Sequence, residues 1–394
     1  MDDDLNTTDQ YTPAASVHWM DVTHSKPPFR ADHVGSLLRP STLKEARAKH
    51  EQGGISAAEL EAIEDAAIEE LITKQESLGF KLATDGELRR TFWHFDFMEN
   101  LDGVERDQTS QGIQFKGGRT KAGVLKVTGK IGFPANHPFL RHFRFLRDRA
   151  KAVPKLTIPS PTVLHFRGGR KAIDPKVYPT MDEFYCDLGR AYAECTKAFA
   201  AEGCRYYQLD EVNFTYLCDP DQRQALKDRG DDPEALPMIY ASLINKTIEN
   251  IPADMAVTMH LCRGNFKSMW IASGGYEPVA EILFNAVNVH AYFMEWDTER
   301  AGGFEPLRLV PKDKIVVLGL VTSKSGRLES KDDLKRRLDE ASKYIGLGQL
   351  CLSPQCGFAS TEEGNLLTDE DQWAKLERVV EVAEEVWGSA ADPA

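Results

Sequence analysis

The sequence predicts an α/β protein: a (β/α)8 TIM barrel with a β-hairpin excursion after the second strand and a mobile N-terminal tail. Three observations carry that expectation. Eight short, nearly continuous apolar runs punctuate the 394 residues, as strands buried on both faces do. Nearly every run is followed by a helical pattern, the alternation of a parallel sheet covered by helices. Eight is also the number of strands that closes such a barrel.

In chain order, residues 1–27 mix Asp, Thr, Ser and Pro without periodicity and read as the tail. Residues 28–394 then form one barrel domain. Its strands are expected at "HVGSLL" (33–38), "FKLATDGE" (80–87), "KLTIPSPTVL" (155–164), "CRYYQLDE" (204–211), "MAVTMHLC" (255–262), "VNVHAYFMEW" (287–296), "KIVVLGLV" (314–321) and "LGQLCLSPQCG" (347–357). Ser56 opens a helix with the capping-box pattern "SAAE"; Leu60, Ile63, Ala67 and Leu71 follow at helical spacing, and Gly79 stops it. "SKDD" at Ser330 and "TDED" at Thr368 open two more, and 181–202 and 221–250 also read as helix. Between the second and third strands, residues 101–134 alternate Gly-rich turns with short β-like runs such as "VLKVTG", the pattern of a hairpin.

Composition narrows the function. A net charge of −13 argues against nucleic acid, whose phosphates need a basic face. No run of eighteen apolar residues occurs, and the start, "MDDDLNTTDQYTPAAS", is acidic and polar where a signal peptide is basic and then apolar. A cytoplasmic protein without membrane partners is expected. Seven cysteines, at 186, 195, 204, 218, 262, 351 and 356, suit free thiols or metal ligands over a disulfide framework. The N-x-S/T triplets at Asn6, Asn213 and Asn245 are then chance matches.

In a barrel the chemistry sits at the C-terminal ends of the strands. There the sequence places Ser36, Asp85 with Glu87, Asp210 with Glu211, His260 with Cys262, Glu295, and Cys356. Residues i and i+2 share a face of a strand, so His260 and Cys262 can reach one ion. Glu295 and Cys356 complete a set of one nitrogen, two sulfurs and one oxygen that suits zinc. Each has a structural alternative: H-x-C can be a core thiol beside a satisfied histidine, "EWDTER" a solvated loop, and the paired acids helix-start charges. Their joint position at one mouth favours chemistry. Cys186, Cys195, Cys204, Cys218 and Cys351 are expected to be core thiols.

The motifs "HVGSLLRP", "TDGELRRTFWHF", "YYQLDE", "MHLCRGNF", "FMEWDTERAGGFEPL" and "LSPQCGF" together resemble the cobalamin-independent methionine synthase family, specifically its C-terminal catalytic barrel and the short single-barrel relatives. The resemblance covers about residues 28–390. It implies that His260, Cys262, Glu295 and Cys356 form the catalytic zinc site, that Ser36 meets the carboxylate of homocysteine, and that Glu87 and Asp210 meet its ammonium. The expected reaction is methylation of a zinc-activated thiol, homocysteine, by methyltetrahydrofolate, a methyl-corrinoid or another donor to give methionine. The partners are a small thiol and a methyl donor, with homo-oligomerisation left open.

Two departures bear on the donor. The full synthase has a second, N-terminal barrel that helps hold folate, where this chain has a short tail. At the third strand the family's tryptophan-bearing segment is replaced by "PSPTVLHFRGG", which puts His165 and Phe166 in the neighbourhood of a stacking ring. A zinc-thiolate alkyltransferase of the epoxyalkane:coenzyme M transferase type is the alternative: Arg89 and Arg90 would suit its sulfonate, whereas Glu87 and Asp210 favour an ammonium. A non-enzymatic zinc-binding scaffold is a third reading, disfavoured by the intact acids.

Overall fold

The computed structural model describes residues 26–107, 112–120 and 123–391. The expected tail lies almost wholly outside the described residues. The fold is α/β, built on a curled parallel sheet of TIM-barrel type. Seven strands run β1 (Leu82–Ala83), β6 (Val153–Pro159), β7 (Tyr206–Glu211), β8 (Ala256–Leu261), β9 (Ala291–Glu295), β10 (Ile315–Val321) and β11 (Leu350–Pro354), each paired in parallel with the next. Between β1 and β6 lie β2 (Asp102–Asp107), antiparallel to β5 (Val124–Gly132), and a smaller pair, β3 (Gln114–Phe115) with β4 (Gly118–Arg119). The expected excursion is thus a pair of antiparallel ribbons.

The expected first strand, 33–38, is not a strand. Its segment makes one parallel bridge, Ala31 to Leu352 on β11, and at its far end the Leu37 N–H donates to the Gly86 carbonyl beyond β1 (3.0 Å). Gly35 sits at φ +140°, which breaks the extended run. A Cβ there would fall 2.7 Å from Thr157 Cγ2. The backbone is held by side chains instead: Thr84 Oγ1 donates to the Gly35 carbonyl (2.7 Å), and Gln208 Nε2 to that of Val34 (2.7 Å). The segment therefore bridges the first and last strands without regular pairing. β1 is short because the chain turns at once through Gly86 and Glu87, at φ +62° and +58°.

Helices cover the strands: α1 (Ser41–Glu51), α2 (Ala57–Ser77), α3 (Phe95–Met98), α4 (Pro138–Arg149), α5 (Thr162–Phe166), α6 (Met181–Ala201), α7 (Asn213–Tyr216), α8 (Pro220–Asp228), α9 (Leu236–Ile248), α10 (Glu277–Ala286), α11 (Lys331–Ala341) and α12 (Asp369–Trp387). The capping boxes at Ser56 and Thr368 are both formed. The single helix expected over 221–250 is two, because Gly230 at φ +93° reverses the chain ahead of Asp232 and Pro233. The expected third strand stops at Pro159, and its last residues, Thr162–Leu164, begin α5. Among the described residues no helix is long and apolar enough to cross a membrane.

Register determines what shares a layer. On β7, Tyr206, Gln208 and Asp210 lie on one face; β8 sets Ala256, Thr258 and His260 opposite them. At the lower end the Tyr206 hydroxyl donates to Asp32 Oδ2 (2.6 Å), and Lys155 Nζ donates to Asp32 Oδ1 (3.0 Å) and the His33 carbonyl (2.6 Å). This ion pair is wholly buried. At the upper end the same faces open into a cleft.

Candidate active site

Three strand ends converge at the top of the sheet. His260 and Cys262, two apart at the end of β8, Glu295, the last residue of β9, and Cys356, just past β11, bring their ligand atoms within 4.8 Å of one another, all buried. The two sulfurs are 3.5 Å apart. Neither ring nitrogen of His260 makes a hydrogen bond of normal geometry, a costly arrangement for a buried imidazole unless a ligand takes up the lone pair. Two thiols in contact beside a lone-pair donor and a carboxylate suit a thiophilic divalent cation such as zinc.

The electrostatics point the same way. Contact with Cys262 pulls the Cys356 thiol well below its ordinary value, while Cys356 pushes Cys262 up, so the pair shares one proton. A cation favours loss of both protons. Burial raises Glu295, against the pull of Lys324 and Arg300. Its Oε1 accepts the Arg263 N–H (2.8 Å) and its Oε2 the Arg300 guanidinium (3.1 Å). Lys324, beyond β10, donates to the Gly264 carbonyl (3.1 Å) and Asn265 Oδ1 (3.3 Å), and Asn265 Nδ2 to the Gly357 carbonyl (2.7 Å), tying together the loops that carry the two cysteines.

Beside the cluster lies a cleft of about 500 Å³, whose lining includes Ser36, Glu87, Asp210, His260, Cys262 and Cys356. Glu295 stands behind them, fully buried. Glu87, in the left-handed region, accepts the Thr157 hydroxyl (2.9 Å) and faces Arg90 at 3.2 Å. Arg39 donates to the Glu87 carbonyl (2.8 Å) and fixes that turn. Burial raises both acids against their neighbouring cations; Asp210 reaches about 7, with Glu87 the next contributor. A pair of carboxylates that resists ionising is a receptor for a cation. Gly357 packs so closely on Ser36 that a Cβ there would overlap the Ser36 hydroxyl.

Other residues singled out from the sequence have structural work. Asp85 Oδ1 accepts the Glu87 N–H (2.9 Å) and shapes the turn. Glu211 is buried beneath α5 and α7, receiving the Thr162 hydroxyl and the Asn213 N–H. Arg89 is committed to Glu64 and Asp65 and Arg90 to Glu87 and Thr157, so neither arginine is available to a sulfonate. His165 bonds the Tyr240 hydroxyl (2.8 Å) and Phe166 packs on Tyr216; neither lines the cleft.

The aromatic wall comes from places the sequence reading passed over. Phe92 and Trp93 follow the turn after β1, Tyr216 ends α7, and Phe115 arrives from the tip of the excursion, where its ring meets Phe266 (5.4 Å between centroids). The Lys116 N–H donates to the Trp270 carbonyl (2.8 Å), and Gly117 and Gly118 lie so close to Met269 that a Cβ at either would fall 2.9 Å from its side chain. Arg167, just past α5, also lines the cleft. The run "TFWHF" directly after a strand-end acid was the one visible signal for this wall.

The family model described as "Cobalamin-independent synthase, Catalytic domain" matches residues 29–385. The chain is 50% identical over 364 residues to the uncharacterized protein YxjH of Bacillus subtilis (strain 168), covering 92% of this chain and 96% of the relative. It is similar to the crystal structure of a candidate vitamin-B12 independent methionine synthase from Listeria monocytogenes, with a TM-score of 0.75, 41% identity, and coverage of 93% of this chain and 100% of that one. A B12-independent methionine synthase from Shewanella sp. W3-18-1, solved in complex with selenomethionine, shares the fold at a TM-score of 0.65, 19% identity, and 91% and 98% coverage.

Proposed function

This chain belongs to the cobalamin-independent methionine synthase family, and from that premise we propose that it is a zinc-dependent thiol S-methyltransferase that converts homocysteine to methionine. The observation that carries the reading is the juxtaposition, in one cleft, of a buried His, Cys, Glu, Cys cluster and a buried pair of acids. The catalytic unit is residues 28–394, a (β/α)8 barrel in which the segment 30–38 takes the place of the first strand.

His260, Cys262, Glu295 and Cys356 would hold the zinc, which, when bound, lowers the pKa of a substrate thiol so that it reacts as thiolate near neutral pH. The protein's own groups do the rest. Glu87 and Asp210 receive the ammonium, whose charge compensates two carboxylates that burial disfavours. Ser36 meets the carboxylate, which shares the α-carbon with that ammonium. Glu295 would be the most loosely held of the four ligands, an oxygen donor whose two oxygens already accept hydrogen bonds from the Arg263 N–H and Arg300. Methyl transfer forms the sulfur–carbon bond as the donor's bond to that carbon breaks. The thiol proton leaves beforehand, and with methyltetrahydrofolate as donor the leaving nitrogen takes up a proton.

Arg167 at the cleft sustains a second reading, a zinc-thiolate alkyltransferase of the epoxyalkane:coenzyme M type, whose sulfonate would need a free guanidinium. Measuring zinc content, together with calorimetric titration of homocysteine into the wild type and Cys356→Ser, tests the proposal. Stoichiometric zinc and proton-releasing homocysteine binding that the substitution abolishes are expected. Zinc with no homocysteine binding moves the assignment to a sulfonate thiol, and absence of zinc overturns both readings.

A further inference from the structure

Arg167 stands at a junction. It borders the cleft and also an adjoining cavity of about 730 Å³ whose lining includes His94, Phe95, Leu125, Val163 and Leu164. Its guanidinium donates from Nη2 to the Tyr216 hydroxyl (3.1 Å) and lies 5.1 Å from the Tyr216 ring centre. Its Nε is buried without a partner, and among the described residues no carboxylate pairs with it.

Three other arginines around the cleft are spoken for, and Arg263, whose guanidinium lies over the Tyr276 ring (4.5 Å), does not line it. Arg39 is held by the carbonyls of Glu87 and Arg90, Arg89 by Glu64 and Asp65, and Arg90 by Glu87 and Thr157. Arg167 alone in this group has only a neutral hydroxyl and an aromatic face. Burial and the nearby Arg167 and Arg106 keep His94 well below its ordinary pKa and hence neutral, so it adds no second positive charge beside Arg167. In a chain of net charge −13, a partly buried cation left without a counter-ion at the edge of a substrate cleft is a receptor in need of an anion.

Within the cleft Asp210 stands beside His260 with Glu87 as its neighbour, whereas Arg167 stands on Tyr216 and beside His94, whose ring packs on Phe92 and Trp93. An amino-acid thiol satisfies the acids alone. We infer that Arg167 anchors an oxyanion, carboxylate or sulfonate, of the second reactant, whose flat apolar body lies along that aromatic wall. The inference rests on the two-substrate reading of the cleft given above, and it makes Arg167 the residue that selects anionic over neutral donors.

Three probes test it with zinc-loaded protein saturated with homocysteine: 4-aminobenzoylglutamate for carboxylates, naphthalene-2-sulfonate for sulfonates, and neutral naphthalene-2-methanol. Binding is read by calorimetry and tryptophan fluorescence in the wild type, Arg167→Gln and Arg167→Lys. At least one anionic probe should bind alongside homocysteine, weaken about tenfold or more in Arg167→Gln and recover in part in Arg167→Lys. Homocysteine and the neutral probe should bind all three proteins equally. Which anion binds more tightly distinguishes a carboxylate from a sulfonate donor. Three results would overturn the inference: no saturable binding of either anion to the wild type, anion binding indifferent to the substitution, or homocysteine binding that falls with it and so places Arg167 in the thiol subsite. If homocysteine itself fails to bind while the anions still depend on Arg167, the proposed reaction fails and the anion site stands.

Discussion

Two buried polar clusters lie at opposite ends of the same strands, and they differ in how completely their groups are matched. At the lower end Asp32 takes hydrogen bonds from Lys155 and Tyr206, and Lys155 also donates to the His33 carbonyl. His33 is kept neutral by burial and by Lys155, its pKa near 3. At the upper end two thiols share a proton and two acids are pushed toward neutrality. Burial is the same in both, and each holds a histidine whose ring nitrogens lack partners, His33 below and His260 above; what differs is that the lower carboxylate is matched by a cation, whereas the upper end sets thiol on thiol and acid beside acid. A matched polar cluster holds structure, whereas an unmatched one of equal depth is a site waiting for ligands.

The contrast can be broken from either end. The largest effect is expected from Asp32→Ala, which strands Lys155 as an uncompensated buried charge and should cost about 3–5 kcal/mol of stability in denaturant unfolding. Zinc per folded molecule should not change. Cys356→Ser should do the reverse, abolishing stoichiometric zinc and lowering turnover by about 100-fold or more while leaving the melting temperature of the metal-free protein nearly unaltered. A Cys356→Ser protein that unfolds as readily as Asp32→Ala would erase the distinction.

Smaller effects sharpen it. Glu87→Gln removes one charge-assisted contact to the ammonium and should weaken homocysteine by roughly tenfold to thirtyfold, with 3-mercaptopropionate, which lacks the amine, unaffected in calorimetry. Asp210 supplies a pH signature. Its folded pKa, about 7, lies above its unfolded value, so the folded state binds the extra proton. Asp210 therefore lowers stability as pH rises from about 4 to 7. Asp210→Asn in the metal-free protein should flatten the fall in melting temperature across that window; an unchanged slope would mean the carboxyl is ionised throughout. Ser56→Ala, which removes the cap of α2 far from either cluster, should cost about 1 kcal/mol and leave zinc and homocysteine binding untouched.

Much of this arrangement was legible in the residues. Parity along "MHLC" put His260 and Cys262 on one face, and the strand-end rule drew Cys356 and Glu295 to them even though Glu295 sits in an acidic run with Asp297 and Glu299. The first wall of the barrel was misread as a strand because Val34, Leu37 and Leu38 look apolar and extended; Gly35 and the side-chain bonds from Thr84 and Gln208 that replace a ladder leave no periodic trace. Lys324 and Arg167 were not singled out for a related reason. A lone cation in a loop reads as surface until the structure shows what it faces, and the expected sulfonate partners, Arg89 and Arg90, prove to be occupied. The ring expected near the cleft at Phe166 is turned into the core against Tyr216, and the rings that line the cleft come from elsewhere.

The ribbon tip that carries Phe115 across the mouth has one more consequence. It is an insertion between two strands of the scaffold, seated by Phe266, Met269 and the Trp270 carbonyl rather than woven into the parallel sheet. Its length and sequence can drift without moving any of the four strand-end ligands. The four clustered ligands are thereby set by the parallel sheet, while one ring of the cleft's aromatic wall is carried on a replaceable part. Descendants of such a molecule can reshape that corner of the cleft and leave the cluster as it is.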